Sequence, residues 1–302
     1  MNILFDHVDW NSSAGPHWAA RKLAEYLLLN GHGVNTGNDD VQLAYVIATQ
    51  KSDIPLIQRL DGIYYDVEQD YHSMNEPIRR TYEMADGVVF QSDWSRRLIE
   101  HHFGKTDNYR IIHNGTDFDY IKNIPAAVGL DNHSKIWCCA SSWFYEDGRQ
   151  RYIKRLEENI RYFQEHSADN DILCVAGDMR DYVNPDASKI VFVGNLEIAD
   201  LISLYKRADY FIHLGRFDSC PNVVVDARAA GCQIICSSLG GTIEVAGLNA
   251  IVIEEDEWNF EPFAYNVPST LDFSRKIENV HNKYISMECV AEMYLEFFNE
   301  IV

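Results

Sequence analysis

Basic side chains are scarce in this chain. Only 26 Lys and Arg stand against 46 Asp and Glu, for a net charge of −20. Phosphate backbones need basic surface, so nucleic acid is excluded as a general partner. Acidity of this degree serves solubility first. An anionic ligand would have to be met by cations gathered in one place. Long apolar runs are missing too. No stretch approaches the roughly 18 residues of a membrane span. The N-terminal MNILFDHVDW has no basic segment ahead of a long apolar one, so it does not read as a signal peptide. The expected compartment is the cytoplasm, and membrane association has no support in the sequence. No CxxC pair occurs. The seven cysteines (Cys138, Cys139, Cys174, Cys220, Cys232, Cys236 and Cys289) lie mostly inside apolar runs. They read as buried thiols of a reducing compartment rather than disulfides or zinc ligands. HExxH, GxSxG, Walker A and GxGxxG are absent, and with them the hydrolase, nucleotide triphosphatase and dinucleotide readings those motifs carry.

What is present is an alternation of short apolar runs with amphipathic segments over 302 residues. That length suggests two domains, and the alternation is the βαβ pattern of parallel sheets. Strands are predicted at 2–5, 41–47, 55–60, 87–91 and 109–113. A first helix starts near Pro16, after the loop WNSSAGPH, and ends at Gly31. Further helices are predicted over 76–85 and over 92–103, the latter capped by Ser92 and stopped by Gly104. Residues 121–134 mix Pro, Gly, Asn and Ser and read as a linker. The pattern then restarts, with strands at 136–141, 172–177, 190–194, 209–214, 233–238 and 249–254. The helices expected between them cover 149–166, 198–208 and 221–230, and a last one covers 281–300. The organisation is thus residues 1–122 as one Rossmann-like domain, 123–280 as a second, and 281–302 as a terminal helical segment. A ligand belongs in the cleft between them.

Three constellations carry possible chemistry. In GRFDSCPNVVVDARAAGC (215–232), Asp218 and Asp226 lie eight apart, and Pro221 marks a helix start between them. The first-turn amides of Asn222 and Val223 lack intrahelical partners, which makes an anion site. Two ordinary acids flanking a helix give the same pattern. Arg149, Arg151, Lys154 and Arg155 form a cationic cluster in an acidic chain. Arg149 could neutralise a diphosphate bidentately, or the cluster could be a solvated helix face. Gly15, and the pair Gly240–Gly241, could admit a ligand to the backbone or simply make turns. One Asp-x-Asp, Asp117 to Asp119, is expected by chance among so many acids, and no metal site is expected.

Taken in order, these segments resemble the retaining glycosyltransferases of family 4. The resemblance rests on AGPHWAARKLAEYLLLNGHGV (14–34), ADGVVFQSDWSRRLIEHHFG (85–104) and IIHNGTDFD (111–119). It also rests on residues 191–247, from VFVGNLEIADL through DSCPNVVVDARAAGC to SSLGGTIEVAG. The resemblance implies the B-type α/β fold, two Rossmann-like domains about a cleft, here with a shortened first domain. It implies transfer of a sugar from a nucleoside-diphosphate sugar to the hydroxyl of a glycan or small-molecule acceptor, without a metal cofactor. The family's paired glutamates fall on Asp218, facing the sugar, and Asp226, facing the ribose, each one methylene shorter. The family's diphosphate-binding lysine falls by spacing on Arg149; its neighbouring arginine falls on Trp143, a loss that Arg151 or Lys154 could compensate. A first-domain histidine falls on Asp61, which could orient the sugar, accept the acceptor's proton, or be a turn residue. Gly194 and Asn195 fall near the base, and the final segment, 281–302, falls on the family's helix that crosses back onto the first domain. A nucleotide-sugar epimerase or hydrolase on the same plan, or a non-catalytic binding relative, stays open. Oligomeric state is not readable.

Overall fold

A computed structural model describes residues 1–12, 15–50 and 52–302, so Ser13 and Ala14 of the predicted first loop lie outside the described residues. Strands β1 (Asn2–Asp6), β2 (Gly33–Val34), β3 (Val41–Tyr45), β4 (Leu56–Leu60), β5 (Gly87–Phe90) and β6 (Tyr109–Ile111) form one sheet in the order β2-β1-β3-β4-β5-β6. Every pairing in it is parallel. Helices α1 (Gly15–Leu29), α2 (Tyr71–Met84), α3 (Asp93–Phe103) and α4 (Phe118–Asn123) connect and cover these strands. β3, β4 and β5 are buried at every position, as strands covered on both faces must be.

The second sheet holds β7 (Ile136–Ala140), β8 (Ile172–Ala176), β9 (Ile190–Gly194), β10 (Tyr210–His213), β11 (Gln233–Ser237), β12 (Ile251–Ile253) and β13 (Lys276–Ile277). Its order is β13-β12-β11-β10-β7-β8-β9, parallel except for β12 against β13. Helices α5 (Leu156–His166), α6 (Ile198–Arg207), α7 (Asn222–Ala230) and the short α8 (Thr242–Val245) belong to this half. The last helix, α9 (Met287–Ile301), packs on the first sheet. It buries Met287, Val290, Ala291, Tyr294, Phe297 and Phe298 beside β1, β3 and α1. Gly87 has no side chain because a Cβ there would stand 2.7 Å from Phe297 and from Ile301. The architecture is therefore α/β, two parallel-sheet Rossmann-like domains.

Several element bounds differ from the sequence expectation, each for a local reason. The helix expected over 149–166 begins only at Leu156. Ahead of it, an antiparallel bridge joins Phe144 to Gln150, and Tyr152–Lys154 make a single 3₁₀ turn. Arg155 then takes φ 53°, a left-handed residue that separates this turn from α5. The helix expected over 76–85 starts at Tyr71, because the Asp70 carboxylate caps it at Ser73 N, 3.2 Å away. Pro77 sits inside that helix as its seventh residue. The last helix starts at Met287, where the Ser286 hydroxyl accepts from Cys289 N at 3.3 Å. The strand at 41–47 stops at Tyr45 because Val46 takes φ 70°. The start of the predicted linker is the end of α4. Two-residue β2 and β13 are too short to show any periodicity.

Candidate active site

The strand order changes direction between β1 and β3 in one sheet and between β7 and β10 in the other. Ligands of such sheets bind beyond the carboxyl ends of the strands at these points. Here those ends meet. Asn222 Nδ2, at the start of α7, donates to Gly15 O, at the start of α1, across 2.9 Å. Ser219 Oγ, after β10, donates to Asp61 O, after β4, at 2.5 Å. Asn114 Nδ2 donates to Cys220 O at 2.6 Å. The predicted residues Gly15, Asp61, Asp218 and Asn222 therefore share one cleft, although up to 207 positions separate them in sequence.

Asp218 is the best-defended carboxylate there. Lys154 Nζ reaches both of its oxygens, at 2.6 and 2.9 Å, and His213 Nε2 lies 2.8 Å from Oδ2. Burial alone would raise its pKa, but the Lys154 ammonium and the His213 hydrogen bond outweigh it and hold the carboxyl well below the usual range. Behind it the chain starts α7 with no side-chain cap, so the amides of Asn222 and Val223 are available to an anion. Asp226, one turn further, is buried and pairs with Lys22 of α1 at 3.2 Å.

Asp61 sits on the opposite wall. Its Oδ1 accepts from Arg59 and from Gln91. Its Oδ2 is buried with no hydrogen-bond partner among the described residues. Burial raises its pKa, and the Arg59 guanidinium only partly opposes this. A buried carboxylate oxygen left without a partner in a cleft has an acceptor position open to a ligand.

Arg149 is not brought to this cluster. It lies on the Phe144–Gln150 hairpin with 71% of its side chain exposed, bonded through Nε to Asp147 at 2.8 Å. The cation at Asp218 is Lys154, since a hairpin and a 3₁₀ turn stand between β7 and α5 and leave Arg149 on the hairpin. Arg155 is also taken, by Glu255 at 2.8 and 2.6 Å. Trp143 is a core residue, 2% exposed, its indole donating to Ala176 O at 2.7 Å. Gly194 and the exposed Asn195 lie at the end of β9, three strands from β10. At strand spacing this is roughly 14 Å from the Asp218 end of the cleft. Of the predicted Asp-x-Asp, Asp117 caps α4 through Asp119 N and Tyr120 N at 2.8 and 3.0 Å. Among the described residues no group of three or more His, Cys, Asp or Glu could hold a metal ion, and no helix is long and apolar enough to cross a membrane.

Sequence reading missed His213, Lys22, Glu244 and His113. His213 carried a signal, since it ends the strand just before the acidic motif. Lys22 carried none, because its partner is 204 positions away. Glu244 closes the cleft from behind. It accepts from Asp93 N and Trp94 N at 3.0 Å each, and lies 2.9 Å from His113 Nε2. Gly241 lets the walls approach, since a Cβ there would stand 1.9 Å from Ser219 O and 2.3 Å from Ser92 Oγ. Gly241→Ala must push the two domains apart. Differential scanning fluorimetry should find it at least about 3 °C less stable than wild type, in line with a 1–3 kcal/mol overpacking cost. An unchanged melting point would show the contact to be soft.

Two Rossmann-like domains that face each other across their carboxyl-end loops have the architecture of the B-type glycosyltransferase fold. Residues 134–269, most of the second domain, match the family described as glycosyl transferases group 1. An uncharacterized glycosyltransferase of Methanocaldococcus jannaschii is 24% identical over 204 residues, covering 63% of this chain and 51% of that protein. The chain spans about half the length of the curated relatives it matches. Among solved structures, Anabaena HepE in complex with UDP superposes with a TM-score of 0.70 at 14% identity, covering 99% of this chain and 100% of that one. A glycosyltransferase from Rickettsia africae gives 0.66 at 15% identity, covering 99% and 98%. These likenesses agree with the family resemblance at the level of fold and group.

Proposed function

We propose that the protein is a retaining, metal-independent glycosyltransferase that moves a sugar from a nucleoside-diphosphate sugar to an acceptor hydroxyl. The observation that carries this reading is the Lys154–Asp218–His213 cluster beside the uncapped start of α7, with the orphaned Asp61 oxygen on the facing wall. Breaking the donor's glycosidic bond leaves negative charge on a diphosphate. Lys154 and the free amides of Asn222 and Val223 offer preorganised positive potential for it. Asp218, held ionised, accepts hydrogen bonds from hydroxyls of the transferred sugar, and Asp226 from the ribose. Gly194 and Asn195 meet the base. Asp61 receives the acceptor's proton. Contact between the domains excludes water, which would otherwise compete as acceptor.

Uridine is the base to try first, because Anabaena HepE has been solved with UDP and with UDP-glucose. Thermal unfolding with UDP, GDP and ADP, each with magnesium or EDTA, tests the reading. A diphosphate at 100 times its Kd should stabilise by about 2.7 kcal/mol and raise Tm by several degrees, unaffected by EDTA. The Asp218→Ala variant should keep that shift and lose transfer. A shift that requires magnesium would remove metal independence, and no shift with any nucleotide would remove the donor assignment.

A further inference from the structure

Lys22 has no part in the chemistry described so far, yet it is buried. It projects from the second turn of α1 with 7% of its side chain exposed and meets Asp226 of the other domain at 3.2 Å, itself 9% exposed. Its neighbour Arg21 is more exposed and lies over Trp18, 4.9 Å from the ring centroid, with Lys22 Nζ 5.7 Å from the same centroid. The Lys22–Asp226 contact is also under-bonded. An ammonium has three protons and a carboxylate several acceptor sites. Here a single hydrogen bond joins them, and no other from a described residue reaches either group. A buried ion pair covers its desolvation cost only when its remaining donors and acceptors are satisfied. Two or more hydrogen-bonding positions therefore stay open, side by side, one donating and one accepting.

We propose that Lys22 is a ribose-binding residue, so that the nucleotide's diol is shared between the two domains. This rests on the reading of Asp226 as the ribose carboxylate. A cis-diol matches the pair, since each hydroxyl can donate to Asp226 and accept from Lys22. The neighbouring helix starts, joined through Asn222 and Gly15, set the two residues at this separation. Ribose recognition is then complete only when the domains are together, and donor binding itself favours closure.

Calorimetric titration of wild type and Lys22→Met with UDP and with 2′-deoxy-UDP tests this. Wild type should prefer UDP by about tenfold, the worth of one hydrogen bond to a charged group. Lys22→Met should weaken UDP by about tenfold and bring the two ligands within about threefold of each other. If Lys22 only braces the domains, both ligands weaken by the same factor and the preference survives, which overturns the proposal. Unchanged or tighter UDP binding overturns it as well. Should Lys22→Met not fold, Lys22→Gln is read by the same ratio. Wild type that binds no nucleotide would instead remove the donor reading, and this proposal with it. A failure confined to the variant leaves the donor reading standing.

Discussion

Lys154→Met should lower sugar transfer by about 10²–10³-fold, the usual cost of removing one preorganised group that meets transition-state charge. Arg149→Met should stay within about threefold of wild type. The contrast follows from position. Lys154 is mostly buried and bonds both Asp218 oxygens. Arg149 is mostly exposed and paired with Asp147 on its own hairpin, an arrangement worth little in free energy. Methionine keeps the length and apolar stem of lysine, so the change removes charge with little repacking. Release of UDP from UDP-glucose, with and without candidate acceptors, measures the effect whichever acceptor the enzyme uses. Equal losses in the two variants would place the diphosphate at the hairpin and return Arg149 to the site. Lys154→Arg is not a neutral control, because a planar fork replaces a point charge between two fixed oxygens.

That contrast also marks how far the sequence could be read. The alternation of apolar runs was enough for two parallel sheets, because buried parallel strands such as β7 and β8 are short and apolar. The start of α7 was legible for a similar reason: Pro221 fixes where the helix can begin, and so places Asp218 outside it and Asp226 within it. Spacing failed between β7 and α5. A hairpin and a 3₁₀ turn consume residues there without any hydrophobic period, so spacing could not show which of the candidates Arg149 and Lys154 meets Asp218. The left-handed Arg155 is the physical reason the charged run does not continue as one helix. Contacts between domains were not legible at all. Lys22 with Asp226 and Glu244 with α3 are products of closure, and no local pattern encodes a partner more than 140 positions away.

Glu244 is where closure should be most sensitive. Glu244→Ala should cost about 3–5 kcal/mol, as breaking a buried charged cluster does, and lower Tm by about 5–10 °C. The residue is 5% exposed and serves three donors of the first domain at once. Two of these are the leading amides of α3, where the helix dipole also favours a negative charge. Ser92 already caps this helix at Ser95 N, so Glu244 supplies what α3 cannot provide for itself. Burial would raise the Glu244 pKa, but the hydrogen bonds from His113, Asp93 and Trp94 outweigh it and leave the carboxyl below its ordinary range. A depressed folded-state pKa fixes the sign of the pH dependence. The contribution is complete above the ordinary glutamate value of about 4.3 and is lost as pH falls through the lower folded value. The Tm gap between wild type and Glu244→Ala should therefore hold constant from neutral pH down to about pH 5 and narrow below about pH 4. Melting curves at pH 7, 5, 4 and 3.5 measure it. A gap that widened toward acid would mean that Glu244 is protonated in the folded protein and donates rather than accepts.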